Sequence, residues 1–259
     1  MLSVSPIRAF TDNYIWKLRS GQPGLAVVVD PGEAAPVLNE LDEQHLKLAA
    51  ILITHRHSDH VGGIRRLLEV YGDIPVYGPA NEHIPSMTQR LREGDEFTPP
   101  GLDISFRAMD VPGHTAGHIA YYGGGALFCG DTVFAAGCGR IFDGTFEQLA
   151  ASLQRIASLP NETLLYCAHE YTVDNLGFAK WVEPENHDLL IRDKEEIAKS
   201  DQGEPTIPST LEIELKTNPF LRLDVPTVVA AAERKAGRRL RSAAEVFTVL
   251  RQWKDSDYD

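Results

Sequence analysis

Cysteine is scarce in this chain: three in 259 residues, at Cys129, Cys138 and Cys167. The count is odd and no two stand in C-x-x-C spacing, which argues against a disulfide framework and a thiolate zinc site. Long apolar runs are also missing, and none approaches the ~20 residues that span a bilayer. The opening, Met1-Leu2-Ser3-Val4-Ser5-Pro6, has neither a charged n-region nor an apolar h-region, so no secretory signal is expected there. Positive charge is in deficit, with 25 Lys and Arg against 37 Asp and Glu and a net charge of -12. So acidic a surface is unsuited to general nucleic-acid binding, where Lys and Arg must neutralise phosphates. No repeat or low-complexity tract is visible. A cytoplasmic, reduced protein with no membrane or nucleic-acid partner is expected, and a monomer.

What is present is an ordinary globular composition, 43% hydrophobic and 24% charged, in a chain long enough for one large domain or a domain with a smaller partner. The run 25–29 (LAVVV), closed by Asp30-Pro31-Gly32, has the length and β-branching of a buried strand. A helix is predicted over roughly 35–44, then a second buried strand over 49–54. Ile64, Leu67, Leu68 and Tyr71 recur at helical spacing, with Gly72 as the stop. Further strands are predicted at 75–77, 104–106, 126–129 and 163–167. Strands alternating with helices imply a layered α/β architecture.

Beyond about residue 172 helical patterns dominate, broken by Pro184, Pro205, Pro208, Pro219 and Pro226. Ser209–Glu212 and Ser242–Glu245 both fit the capping box. A domain boundary is placed near 172, separating residues 1–172 from 173–259. Between Val225 and Lys254 seven basic residues face two acidic ones, a local charge of +5 in an acidic chain. On composition alone this reads as a solvated helix face.

The strongest signal is His55-x-His57-x-Asp59-His60, directly after a buried strand. In extended chain, residues i and i+2 share a face, so His55 and His57 reach one point. Asp59 and His60 lie where the chain turns into a helix and point elsewhere, towards a second ion. Imidazole with carboxylate suits zinc, iron or manganese. His114, Asp131 and His169 each follow an apolar run by one to three residues, and in layered α/β folds loops at one end of the strands converge on the site. Four ligands suit one zinc-like ion. Seven donors therefore serve two ions only if one is shared. A carboxylate can bridge where a neutral imidazole cannot, so the bridge is Asp131 or Asp59. Asp59 is tied to His60 on one short turn, which makes Asp131 the better choice.

Thr54-His55-Arg56-His57-Ser58-Asp59-His60 resembles the T-H-x-H-x-D-H signature of the metallo-β-lactamase superfamily. Within it, the chain resembles the glyoxalase II family, the hydroxyacylglutathione hydrolases. The likeness runs through Thr11-Asp12-Asn13-Tyr14, 112–118 (PGHTAGH), Gly130-Asp131-Thr132, 136–140 (AGCGR), 168–172 (AHEYT), 205–210 (PTIPST), Asn218-Pro219-Phe220 and Arg251-x-x-Lys254-Asp255. It implies a metallo-β-lactamase-type αββα sandwich with a smaller helical C-terminal domain that binds glutathione. It implies two divalent ions, zinc foremost with iron or manganese as alternatives: His55, His57 and His114 on one, Asp59, His60 and His169 on the other, Asp131 between them. A hydroxide held there would attack the thioester of S-lactoylglutathione, giving lactate and glutathione, the second step of methylglyoxal detoxification. The matching glutathione positions are Arg140, Tyr171, Arg251 and Lys254. For the last two, the likeness overrides the solvated-face reading, since residues three apart on a helix share a face. Arg234, Lys235, Arg238 and Arg239 keep it. Two positions depart from the eukaryotic pattern: Arg140 stands where Lys is usual, and Phe142 where a Tyr supplies a hydroxyl. Both bear on how glutathione is held.

Some residues are assigned lesser roles. His118 is read as a supporting or structural residue. Asp30 either orients a ligand His or is simply a turn residue. His45, His83 and His187 are read as surface residues, and Cys129 and Cys167 as core. Competing functions are another hydrolase of the superfamily such as a lactonase or β-lactamase, a mononuclear iron dioxygenase acting on glutathione persulfide, and a metal-stabilised binding protein without activity.

Overall fold

A computed structural model describes residues 1–258. They fall into two compact units, Met1–Asp110 with Gly117–Gly130, and Val111–Ala116 with Asp131–Asp259.

The first unit runs β1 (Ser3–Ala9), β2 (Asn13–Arg19), β3 (Leu25–Val29), α1 (Ala34–Glu43), β4 (Lys47–Leu52), α2 (Ser58–Val61), α3 (Ile64–Tyr71), β5 (Val76–Pro79), β6 (Gln89–Leu91), β7 (Glu96–Phe97), β8 (Phe106–Asp110), β9 (Ile119–Gly123) and β10 (Ala126–Gly130). β1 to β6 form one sheet in sequence order. β1, β2 and β3 are antiparallel neighbours, whereas β3, β4, β5 and β6 pair in parallel. A parallel step needs a crossover. α1 supplies it between β3 and β4, and α2 with α3 between β4 and β5. Val37, Leu41, Ile64 and Leu67 of these helices pack with Ile7, Ile15, Val28 and Ile51 of the sheet. β7 to β10 make an antiparallel meander.

The β3 strand occupies the expected residues, and Gly72 closes α3 at φ 75°. The strand expected at 104–106 lies further on, at Phe106–Asp110, because pairing with β9 fixes it from Arg107 opposite Tyr122 to Asp110 opposite Ile119.

The second unit holds β11 (Val133–Phe134), β12 (Gly137–Cys138), α4 (Phe146–Ala157), β13 (Leu164–Cys167), α5 (Thr172–Val182), α6 (His187–Asp201), β14 (Ser209–Thr210), α7 (Leu211–Thr217), a 3-10 turn (Pro219–Leu221), α8 (Pro226–Ala236), α9 (Ala243–Trp253) and a π-helical turn (Lys254–Tyr258). Helices predominate after 172, as the sequence texture implies. α4 carries a full capping box, Thr145 with Gln148, each side chain meeting the other's backbone N–H. Ser242 caps α9 through the Glu245 N–H, but the Glu245 carboxylate accepts from Arg241 N–H instead. Thr210, not Ser209, caps α7. Ser209 is held in β14 opposite Leu165, which leaves the next residue to make the turn.

A buried ion pair organises this unit. Arg192 of α6 bonds Glu214 of α7 at 2.5 Å and Thr217 at 2.6 Å. Glu214 accepts the Ala136 N–H at 2.8 Å, and Asn218 donates to the carbonyls of Phe134 and Gly137. These bonds satisfy backbone groups of the β11–β12 ribbon, where Ala136 sits at φ 56°. Removing one partner would strand a buried charge, at about 3–5 kcal/mol. Among the described residues, no helix is long and apolar enough to cross a membrane.

Candidate metal centre and adjoining cavity

The chain leaves β4 at Leu52, bends at Thr54 and reaches His57, the N-cap of α2 at φ -62°, ψ 147°. His55 and His57 come together there, with His55 Nε2 3.0 Å from His57 Nδ1. Asp59 and His60 follow in the first turn of α2, with His60 Nε2 3.4 Å from Asp59 Oδ2.

Asp30 fixes His60. It ends β3 in the left-handed region, φ 53°, and accepts from the Thr54 N–H and hydroxyl, both at 2.7 Å. Its Oδ2 is 3.0 Å from His60 Nδ1. A proton on Nδ1 leaves the Nε2 lone pair for a ligand role. Of the two readings of Asp30 left open by the sequence, this contact with His60 favours orientation. His118 has a packing role: its ring stacks on His55 with centroids 4.6 Å apart.

His114 is oriented in the same way by a main-chain group. Its Nδ1 donates to the Arg140 carbonyl at 2.8 Å, leaving Nε2 3.4 Å from Asp131 Oδ2. Gly139 makes the approach possible, since a Cβ there would lie 2.0 Å from the Asp131 carbonyl oxygen. His169 Nε2 is likewise 3.4 Å from Asp131 Oδ2.

Ligand atoms of His55, His57, His114 and Asp131 lie within 4.8 Å of one another, and so do those of Asp59, His60 and His169. Nitrogen and oxygen ligands about 2.0–2.2 Å from a tetrahedral ion are about 3.3–3.6 Å apart. The three 3.4 Å separations meet that requirement, and the donor set of imidazole with carboxylate suits a divalent ion. All the donors except His57 and Asp59 are buried. This His/Asp cluster is a divalent metal site.

Beside His169 opens a cavity of about 440 Å³ lined by Phe134, Cys138, Arg140, Tyr171, Asp174, Asn175, Arg251 and Lys254. The Tyr171 ring stacks on His169 with centroids 4.8 Å apart, and Phe134 meets both edge-on. Arg140, Tyr171, Arg251 and Lys254, scattered in sequence, share this cavity. Arg251 lies in the last turn of α9 and Lys254 begins the π-helical turn just past it. Arg251 is 1% exposed. Its Nη1 donates to the Cys138 carbonyl at 2.9 Å and its Nε to Asp255 at 3.1 Å. Lys254 Nζ pairs with Asp174 at 3.1 Å. Burial opposes the charge on Arg251, but Cys138 and Asp255 outweigh it and raise its pKa. Burial pushes the Cys138 thiol up to about 11, against the pull of Arg251.

Phe142 is 65% exposed and meets His114 edge-on at 5.1 Å. Lys235, Arg238 and Arg239 make surface ion pairs with Asp257, Glu245 and Glu233. Sequence reasoning missed Phe134, Asp174 and Asn175 as cavity residues. An aromatic in a ribbon and two polar residues at a helix start give no signal before the fold brings them together.

Residues 14–169 match the model of the metallo-beta-lactamase superfamily and residues 170–257 that of the hydroxyacylglutathione hydrolase C-terminus. Among solved structures, ETHE1 from Myxococcus xanthus superposes with a TM-score of 0.66 at 24% identity, covering 96% of this chain and 89% of that one, a likeness of fold. TTHA1623 in a di-iron-bound form gives 0.61 at 27% identity, covering 84% and 100%. Fold and site together define a metal-dependent hydrolase of the metallo-β-lactamase superfamily with a helical C-terminal part. A hydroxyacylglutathione hydrolase of Nitrosomonas eutropha is 52% identical over 99% of both chains. One of Alkalilimnicola ehrlichii is 52% identical over 98% of this chain and 99% of its own. The chain belongs to the hydroxyacylglutathione hydrolase family.

Proposed function

We propose that the chain hydrolyses S-(2-hydroxyacyl)glutathione thioesters, S-lactoylglutathione in particular, to the hydroxy acid and glutathione, the second step of methylglyoxal detoxification. The observation that carries this reading is the set of relatives of that name, about half identical over nearly the whole length of both chains.

Two ions per chain are proposed, zinc foremost with iron or manganese as alternatives, one held by His55, His57 and His114, the other by Asp59, His60 and His169. Asp131 is shared. Support comes from Asp131 Oδ2, which is 3.4 Å from His114 and from His169, and from the di-iron form of a neighbour at 27% identity. Bound divalent ions supply water acidified towards a pKa of ~7 and a Lewis acid for the carbonyl oxygen. Asp30 and the Arg140 carbonyl hold His60 and His114 in the ligating tautomer. The leaving thiolate, with a pKa near ~8.5, needs little help from a general acid.

The cavity beside His169 is the proposed glutathione site. Its cations Arg140, Arg251 and Lys254 face the carboxylates of Asp174 and Asp255, a formal charge of about +1. A glutathione thioester, with two carboxylates and one ammonium, carries -1. Lys254 and Arg251 are placed on the glycine carboxylate, with Arg140 and Tyr171 nearer the thioester end. Arg in place of Lys at 140 keeps the charge and adds a planar donor fork. Phe at 142 leaves one hydrogen bond to glutathione unmade. Residues 1–172 would then supply the metal ligands with Arg140 and Tyr171, and 173–259 the Arg251 and Lys254 anchor of the glycine carboxylate.

Metal analysis of the purified protein paired with an S-lactoylglutathione assay tests the reading. About two ions per chain with turnover is expected. Metal-replete protein inert towards acyl-glutathiones would refute it. One tightly held iron with oxygen consumption on glutathione persulfide would favour the dioxygenase.

A further inference from the structure

The turn between β1 and β2 ends in Asn13, the first residue of β2, opposite Ala9. Its side chain is buried, and its Nδ2 donates to Asp59 Oδ2 at 3.1 Å. That oxygen is the one 3.4 Å from His60 Nε2. Asp59 sits on a helix of four residues, with its side chain 36% exposed. His60, by contrast, is fully buried.

The backbone of Asp59 is held separately. A Cβ on Gly32 would fall 1.8 Å from the Asp59 carbonyl oxygen and 2.8 Å from the Phe10 ring. The loop after β3 is thus pressed on residue 59 and on the β1–β2 turn together. The Phe10 N–H donates to Glu33 Oε2 at 2.6 Å and ties the turn to that same loop. Main-chain packing thus holds Asp59 in place, and the Asn13 amide bonds its carboxylate.

We propose that Asn13 is a positioning residue for the ion assigned to Asp59, His60 and His169. It acts through Asp59 and touches neither ion nor substrate. An amide fits this place for two reasons. It is a donor, which Leu of equal size is not, and it is neutral, whereas Asp would set two carboxylates about 3 Å apart. The inference rests on the two-ion reading given above.

Asn13→Leu and Asn13→Asp test it in the full-length protein, with Zn²⁺ titrated against a chromophoric chelator. For Asn13→Leu the more weakly held of two ions should lose about 10–100-fold in affinity, as for other residues that orient ligands. The other ion should be retained. kcat should fall while KM stays within about twofold. Asn13→Asp should bind the weaker ion less well still. Thermal unfolding of the metal-free proteins separates positioning from structure. The metal-free midpoint should match wild type within ~2 °C, and the rise on adding Zn²⁺ should shrink. Two ions held as tightly as in wild type, or an unchanged Zn²⁺-induced rise with a lowered metal-free midpoint, would overturn the inference alone. A wild-type chain that binds one ion would take both the two-ion reading and this inference with it.

Discussion

Asp131 Oδ2 stands 3.4 Å from His169 Nε2, and the same oxygen stands 3.4 Å from His114 Nε2. One carboxylate oxygen is thus within ligand-to-ligand distance of donors from both groups. In the proposed two-ion site, two divalent ions with Asp59 and Asp131 would carry a formal charge of +2, and removing Asp131 would raise it to +3. Asp131→Asn keeps the shape and loses the charge. Its expected outcome is a fall in bound metal and a loss of hydrolysis of at least ~10²-fold. Metal analysis and turnover on the same preparation check it, and normal turnover with full metal content would remove Asp131 from the centre.

Asp30 makes three bonds from one carboxylate, two to Thr54 and one to His60. In Asp30→Asn one carboxylate oxygen becomes an NH₂ donor, so no orientation of the amide accepts all three protons. His60 is then free to take the other tautomer, with its proton on the nitrogen meant for the ion. Metal affinity should fall by about 10–100-fold, with little change in KM for the thioester. Chelator competition reads this directly, and wild-type affinity would reduce Asp30 to a turn residue.

The contrast between Asp30 and His55–His60 explains how much was legible in advance. Three His and an Asp in six residues after a buried strand have few uses other than metal binding, and His114, Asp131 and His169 repeat the pattern of donor after apolar run. Asp before Pro-Gly suits a turn as well as an orienting role, and only the fold brings His60 to it across 30 residues. Arg192 and Glu214 were invisible for a related reason. A charged residue on a helix reads as solvated, yet both are buried. The sequence pattern also gave the strand after Gly101 too early, since Ile104 and Phe106 alternate like a strand while pairing with β9 decides its true extent. Ser209 matched a capping box, but the cap is the neighbouring Thr210, which accepts the Ile213 N–H without a Glu to complete the box.

The two cavity cations are not equivalent. Lys254 is buried but pairs with an exposed Asp174, so Lys254→Ala removes a charge without leaving a buried partner unpaired. Arg251 also holds the Cys138 carbonyl, and its loss leaves a buried acceptor unmet at about 1–3 kcal/mol. Both single variants should raise KM for S-lactoylglutathione far more than they lower kcat, as for loss of uniform binding. Arg251→Ala should unfold at lower denaturant than Lys254→Ala. The double variant should have the highest KM, and an unchanged KM would take both residues out of the substrate site.

The buried thiols set an alkaline limit on stability. Burial raises Cys138 to about 11 and Cys167 to about 12, while an unfolded chain ionises its thiols near ~8.5. Above that value the unfolded state holds fewer protons than the folded one, so rising pH favours unfolding. The stability is fully present below pH ~8.5 and is lost as pH climbs through about 11 for Cys138 and about 12 for Cys167. The slope is at most about 1.4 kcal/mol per pH unit for each thiol. Urea unfolding of metal-free protein between pH 8 and 11 measures it, free of metal-ligand protonation. Cys138→Ala keeps the carbonyl that Arg251 binds and should flatten the slope by the share of one thiol. The same burial should keep both thiols slow to react with a disulfide reagent at neutral pH until urea opens the fold. Rapid labelling of Cys138 itself in the native protein, or an unaltered slope in Cys138→Ala, would mean that Cys138 meets water and that the cavity floor beneath Arg251 is open.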